Sequence, residues 1–346
     1  MATHPVFLAL ISAALFGAAT PASKGLLADL SPFQLAGLLY LGAALGVVPV
    51  AGLSQVWRMP WRINPVNRWR LWGAVLAGGV AGPVLLLAGL RVASAASVSL
   101  WLNLELVATA VLGHWFFRDH LTRYGWLGVA VTLVAAMTLS VGSGSSGILA
   151  GILVLLACCC WGLDNHLTAL IDGLSPSQST FWKGLVAGSV SLAIGLWLRP
   201  FTASGFIVLG AVGVGIGSYG ASITLYIHAA QRLGATRGQI MFSTAPFFGL
   251  LLSAVLLAEP LHSLHIVAAL LFMVGIALLL TESHAHTHDH TKLSHAHRHR
   301  HDDRHHTHDH HGLEPAVEHT HWHDHDPVTH AHAHWPDLHH RHGHDT

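Results

Sequence analysis

The chain has 346 residues, 52% of them hydrophobic and only 10% charged, against about 25% charged in ordinary soluble domains, which excludes a water-soluble fold for most of its length. Its formal net charge of zero is a cancellation: residues 1–282 carry 12 Lys and Arg against 7 Asp and Glu, whereas residues 283–346 carry 5 against 10. That second stretch also holds 24 of the 31 histidines, so two materials are joined end to end. The three cysteines, Cys158, Cys159 and Cys160, are consecutive and exclude a disulfide framework bridging distant segments.

A bilayer core of about 30 Å needs roughly 20 apolar residues in a helix. Taken in chain order, such runs predict ten spans, at 5–23, 33–53, 70–90, 94–117, 124–141, 147–171, 177–198, 204–229, 237–257 and 261–281. The first is read as a retained helix and not a cleaved signal peptide, because no basic segment precedes it. The uncharged stretch 124–163 is too long for one crossing, and Gly142-Ser-Gly-Ser-Ser-Gly147 divides it. Placing the N-terminus in the cytoplasm puts Arg58, Arg62, Arg68, Arg70, Arg118, Arg123, Arg232 and Arg237 inside, against Lys24, Arg91 and Arg199 outside. The positive-inside bias therefore predicts a multi-pass protein of the inner or plasma membrane with both termini cytoplasmic. Gly-xxx-Gly spacings at Gly42/Gly46, Gly78/Gly82, Gly184/Gly188 and Gly213/Gly217 predict close helix contacts.

The body repeats itself. Leu30-Ser31-Pro32-Phe33-Gln34 opens the second span and Leu174-Ser175-Pro176-Ser177-Gln178 the seventh; Phe16-Gly17 in the first span matches Trp161-Gly162 in the sixth; Asp119-His120-Leu121 after the fourth matches Glu259-Pro260-Leu261 after the ninth. The expected organisation is one five-helix repeat over 1–141, a second over 147–282, and a tail over 283–346. An odd number of crossings per repeat inverts the second half relative to the first, an arrangement of secondary transporters that places the substrate site at the midplane. At these residues the chain resembles the EamA-type ten-helix transporters of the drug/metabolite transporter superfamily. The resemblance covers roughly 5–281 and rests on the aromatic-glycine pair, the acidic residue closing the fourth helix of each half, and a proline part-way along that helix, here Pro246. It implies an all-α membrane fold that moves a small solute. The first half departs from the pattern, with Asp119 where glutamate is usual and Leu106, preceded by Glu105, at the position of Pro246.

Glu105 falls near the centre of the fourth span, where a charged side chain costs at least about 2.5–3.5 kcal/mol. It is expected to face the bundle interior with a partner or a proton. Pro246 removes a helix hydrogen bond at the matching depth. Asp164, Asn165 and His166 form a second polar cluster on the sixth span; Asp164 and His166 lie about 200° apart around a helix and cannot share one ion without unwinding. Either is expected on the pathway, and each shares a stripe with one of the cysteines. Lys183 either snorkels to water or is the counter-charge of Glu105 or Asp164. His114, His228, His262 and His265 lie near span ends and are assigned no role.

The tail is too poor in large apolar groups to offset its ordering entropy and is expected to be disordered without ligand. Its His-x-His runs, His284/His286/His288/His290 and His330/His332/His334, are the expected metal ligands for Zn, Ni, Co or Cu, with titration by pH as the alternative role. Three functions stay open: a secondary transporter whose cargo is a divalent metal ion, a metabolite or drug exporter whose tail senses metal or pH, and a membrane-anchored metal store. The expected partners are the lipid bilayer, a small solute or metal ion, and a second copy of the chain as a homodimer; no nucleic acid, required cofactor or enzymatic activity is expected. No Gly-x-x-x-x-Gly-Lys-Ser/Thr run exists, so the expected energy source is a gradient.

Overall fold

The computed structural model describes residues 3–52, 59–116, 121–171, 174–226 and 242–280, and four tail segments at 284–290, 293–299, 319–325 and 328–334. The chain divides into two compact units, residues 1–282 and 283–341.

Ten apolar helical stretches build the first unit. They are α1 (Thr3–Gly17, continuing as Ala19–Leu26), α2 (Pro32–Gly52), α3 (Pro65–Val92), α4 (Ala95–Trp101 and Leu104–Phe116), α5 (Arg123–Gly142), α6 (Gly144–Ala169), α7 (Pro176–Leu198), α8 (Gly205–Tyr226), α9 (Ala245–Leu256) and α10 (Ser263–Leu280). The first eight are long and apolar enough to cross a membrane, while α9 and α10 are shorter; the start of the predicted ninth span, 237–241, lies outside the described residues. Leu76, Val141, Trp197, Phe206, Leu209 and Val255 are exposed on the outer faces. Such a surface is satisfied by lipid and would aggregate in water.

The repeated Leu-Ser-Pro-x-Gln motif is a helix start. Ser31 Oγ accepts from the Gln34 amide (3.3 Å) while Gln34 Oε1 accepts from the Ser31 amide (3.1 Å), a reciprocal capping box with proline in the first turn. Ser175 Oγ caps the Gln178 amide in the same way (3.3 Å). Gln34 Nδ-type donors do not end there: its Nε2 also donates to the carbonyls of Gly195 (3.3 Å) and Arg199 (3.0 Å) at the far end of α7.

That contact begins an antiparallel seam. Gly37 lies against Leu192, Leu41 against Gly188 and Ala44 against Gly184, so the two equivalent helices α2 and α7 run in opposite directions, as inverted halves require. The pair α5 and α10 does the same, Gly128 meeting Leu279 and Gly142 meeting Leu264. The remaining contacts follow one exchange of halves: α6 packs on α3 and α4 as α1 packs on α8 and α9. The aromatic-glycine motif makes these crossings. Trp161 reaches the α3 backbone and Gly162 lies against Ala108 and Thr109 of α4; Phe16 stacks on Tyr219 of α8 (ring centroids 5.7 Å) and Gly17 lies against Ala245 and Gly249 of α9.

Two irregularities also come in matched pairs. A π-helical turn interrupts α3 at Val75–Ala81 and α8 at Gly215–Ala221, and α4 breaks at Leu102–Asn103 where a turn at Ser243–Thr244 precedes α9. Asn103 Nδ2 donates to the Leu100 carbonyl (2.8 Å), the local side-chain competition that ends helices. Pro246 therefore sits in the first turn of a restarted helix, not part-way along a continuous one as expected; at that position its missing N–H costs no intrahelical bond. Of the four Gly-xxx-Gly pairs, Gly213 and Gly217 face open space, and Gly215 instead meets Leu39 and Gly42. A π turn advances the chain by an extra residue and so rotates the contact face.

In the tail, β1 (His284–His290) pairs antiparallel with β4 (Val328–His334), and β2 (Leu293–His299) with β3 (His319–His325). Where composition predicts disorder, these four segments are paired strands. Alternating His-x-His sequence has the period of two that a strand requires, a pattern that composition does not register.

Candidate functional site

The polar residues of the body converge on α6, which presents adjacent side chains to different neighbours because consecutive residues turn by about 100°. Asp164 Oδ2 receives the Lys183 ammonium of α7 at 2.6 Å, and its Oδ1 accepts from Thr168 Oγ1 one turn on (2.8 Å). The pair is withdrawn from solvent, the side chains being 7% and 17% exposed. It is the one Lys/Arg ion pair recorded among the described residues. Of the roles open to Lys183, the structure selects counter-charge, and Asp164, not Glu105, is its partner.

Asp164 fits because α3 has no side chain in its way: a Cβ at Gly78 would collide with the Asp164 carboxylate. Gly78 lies in the π turn, whose i→i+5 pattern leaves carbonyls without helical partners. Its carbonyl accepts instead from Tyr40 Oη of α2 (2.7 Å) and Trp161 Nε1 of α6 (3.0 Å). The two tandem glycines Gly78 and Gly79 thus bring α2, α3, α6 and α7 together around one ion pair, with Gly79 against Ala187 and the Lys183 stem.

Glu105 occupies the first turn of the restarted half of α4. A carboxylate there is favoured by the amide dipoles of a helix start, so the break offsets part of the cost of a mid-span acid. Its partner is neutral: Asn165 Nδ2 donates to Glu105 Oε1 (3.0 Å) and to Thr109 Oγ1 (3.2 Å). His166 Nε2 donates to the Thr109 carbonyl (2.9 Å), a direction required because a carbonyl can only accept. Glu105, half-buried, and Asn165, exposed, form a polar cluster between α4 and α6 separate from the ion pair. Pro246 stands at the matching place in the other half, where Ala245 replaces Glu105 and no acid is present.

Among the described residues no three His, Cys, Asp or Glu side chains converge as a metal group. Asp164 is taken by Lys183 and Thr168, and Cys158 is buried with its thiol near the Trp101 carbonyl (3.9 Å), so the cysteine stripes assemble no ligand set with Asp164 or His166.

One cluster escaped the sequence reading. Glu259, after α9, accepts from the amides of Ala95 (2.9 Å) and Ala96 (2.8 Å) at the start of α4, and Lys24 donates to the carbonyls of Leu90 (2.6 Å) and Ala93 (2.7 Å) at the end of α3. His265 joins them: its Nδ1 accepts from the His262 amide (3.1 Å), leaving Nε2 to donate to Ser97 Oγ (3.1 Å). The acid closing the fourth helix of one half is therefore a cap on the fourth helix of the other. Its repeat mate Asp119 lies outside the described residues. The only signal in the sequence was the repeat itself.

Comparison with known proteins follows this geometry. The sequence profile of the EamA-like transporter family matches residues 4–141 and again 148–281. An uncharacterized transporter of Methanothermobacter thermautotrophicus is 29% identical over 215 residues, 59% of this chain and 62% of that protein. An uncharacterized transporter of Synechocystis is 23% identical over 291 residues, 77% of this chain and 86% of that one. The fold is similar to a protein crystal structure covering 80% of this chain and 96% of its own, with TM-score 0.58 at 18% identity.

Proposed function

The chain belongs to the EamA-like transporter family, and from that premise we propose that it is a gradient-driven carrier of a small cationic solute, with divalent transition-metal ions the first class to test. The observation that carries the reading is the break in α4 with Glu105 in the first turn after it. Discontinuous helices at the midplane free backbone groups and charge for a solute, and inverted halves let access alternate around them. Glu105, hydrogen-bonded only to a neutral amide in the contacts above, is the group available to a cation or proton. The Asp164–Lys183 pair is self-neutralised and holds α6 to α7 during that motion. His166 and Asn165 fasten α6 to the second half of α4, and Pro246 marks where the other half can flex.

The favoured orientation has both termini cytoplasmic, supported by the arginine bias, which sets the histidine tail beside the inner mouth of the carrier. The tail then collects or buffers the same ions.

The test is uptake by purified protein in vesicles against a solute panel that includes Zn²⁺, Ni²⁺, Co²⁺ and Cu²⁺. For Glu105→Gln the lost charge-assisted contact is about 1.5–3 kcal/mol, which predicts at least about a tenfold loss of apparent affinity together with a flattened pH dependence. Unchanged rate and unchanged pH profile remove Glu105 from the mechanism.

A further inference from the structure

The tail's strand register carries information that its composition does not. In the first ladder the cross-strand partners are His284 with His334, His286 with His332 and His288 with His330; in the second they are His295 with His323, His297 with His321 and His299 with His319. Directly opposed residues lie on the same face of a sheet, as do residues two apart along a strand. One face of the first ladder therefore carries His284, His286, His288, His290, His330, His332 and His334. One face of the second carries His295, His297, His299, His319, His321, His323 and His325. The opposite faces take Ala285, Thr287, Ala331, Ala333 and similar small residues.

We propose that each ladder is a divalent transition-metal site built across its strands, in which two neighbouring His–His rungs supply the imidazoles of one ion. Opposed positions have Cβ atoms about 4.5–5.5 Å apart, and successive rungs on one face are about 6.6 Å apart along the strand. Both spacings are within reach of imidazole arms converging on one ion at about 2.0–2.1 Å. Three rungs and one further histidine per ladder accommodate about two ions, hence about four for the tail. Borderline ions such as Zn²⁺, Co²⁺ and Ni²⁺ suit an all-imidazole set.

The same arrangement answers an energetic question. The two ladders are nested, β2 and β3 inside β1 and β4, and closing such loops over a chain this poor in apolar groups has no hydrophobic source of compensation. Metal bonds supply it: where the site does not exist in the unordered chain, metal binding free energy is folding free energy. Metal loading and strand pairing are then one event. This inference concerns binding alone and does not rest on what the body carries.

The test uses the full chain in detergent with Co²⁺ as the probe, reading bound ions per chain by equilibrium dialysis and tetrahedral ligation by visible absorption. Pairing is read by disulfide formation between cysteines introduced on the small-residue face. Ala285→Cys with Ala333→Cys is in register. Ala285→Cys with Ala331→Cys is two residues out, beyond the roughly 7 Å over which a disulfide forms. The native Cys158–Cys160 are common to all variants. The expected result is that Co²⁺ speeds the in-register bond and EDTA slows it, with the offset pair unresponsive. Replacing His284, His286 and His288 by Ala is expected to lower bound Co²⁺ by about half, since it strips one ligand from every rung of one ladder. Replacing His305, His306 and His308, outside the strands, is expected to leave the in-register bond metal-dependent. Equal Co²⁺ loss in the two triple variants, or equal metal response of the two cysteine pairs, overturns the register and leaves an unstructured metal sponge. A chain that binds Co²⁺ in this way but carries none across vesicles defeats the cargo reading above and leaves this proposal standing; transport without tail binding does the reverse.

Discussion

Replacing Lys183 by methionine removes the counter-charge of Asp164 while keeping a long apolar stem against Gly79. Truncating one member of a buried pair costs about 3–5 kcal/mol, because the remaining charge is stranded. A second route limits that cost: Asp164 can take up a proton, and neutralising a carboxylate of ordinary pKa near 3.9 costs about 4 kcal/mol at pH 7 and about 1.4 kcal/mol less for each unit of acidification. The destabilisation of Lys183→Met should therefore shrink from about 4 kcal/mol at pH 7 to about 2 kcal/mol at pH 5.5. Asp164→Asn strands an ammonium instead, whose neutralisation costs about 4.6 kcal/mol at pH 7 and less as pH rises, so its penalty should shrink in the opposite direction. The double variant Asp164→Asn/Lys183→Met should lie well above the sum of the two single losses. Reversible unfolding in mixed SDS micelles between pH 5.5 and 8.5 reads all four proteins. Flat and equal pH profiles for the two single variants, or strict additivity in the double, would refute the claim that these two charges are withdrawn together.

The cap made by Glu259 predicts that Glu259→Ala destabilises by about 1–3 kcal/mol, since two amides at the start of α4 lose their acceptor; hydrogen exchange should rise at Ala95 and Ala96 specifically. Gly78→Ala should sharply reduce folded yield, because its methyl meets the Asp164 carboxylate, whereas Gly25→Ala, with nothing nearby, should express normally; equal yields would contradict the close approach of α3 to α6. Ala258, at φ 51°, is a left-handed residue without the freedom of glycine, and Ala258→Gly should leave stability unchanged or raise it by up to about 1 kcal/mol in the same unfolding assay.

Much of the architecture can be read along the chain because lipid imposes it locally. A helix must satisfy its own backbone and run for a bilayer's thickness, so spans and their odd number per half are written in runs of apolar residues. The Ser-Pro-x-Gln starts are equally local, since a capping box involves neighbours three apart. Glu105, Asp164, His166 and Lys183 stand out for a similar reason: each is a polar group where hydrocarbon is expected. What these residues touch is a different matter. Lys183 had two acids within plausible reach, and the choice of Asp164 depends on Gly78, more than eighty positions earlier, lacking a side chain in a π turn that no propensity announces. Glu105 obtained Asn165 because α4 breaks at Asn103 and restarts on that side. The role of Glu259 required the other half of the protein to be in place.

The tail divides in the same way. Its abundance of imidazole, its lack of apolar groups and its alternation are properties of composition and period, visible in the primary structure and sufficient to predict metal affinity for His284–His290 and His330–His334. Which histidine opposes which is a long-range pairing, and the second histidine face, from His295 to His325, emerges only from it. In both units the amino-acid order determined where polar chemistry resides, because burial costs act residue by residue. Tertiary structure alone decided the partners, because in lipid, or in a chain without a hydrophobic core, apolar attraction does not select among neighbours; close-packed glycines and strand register do.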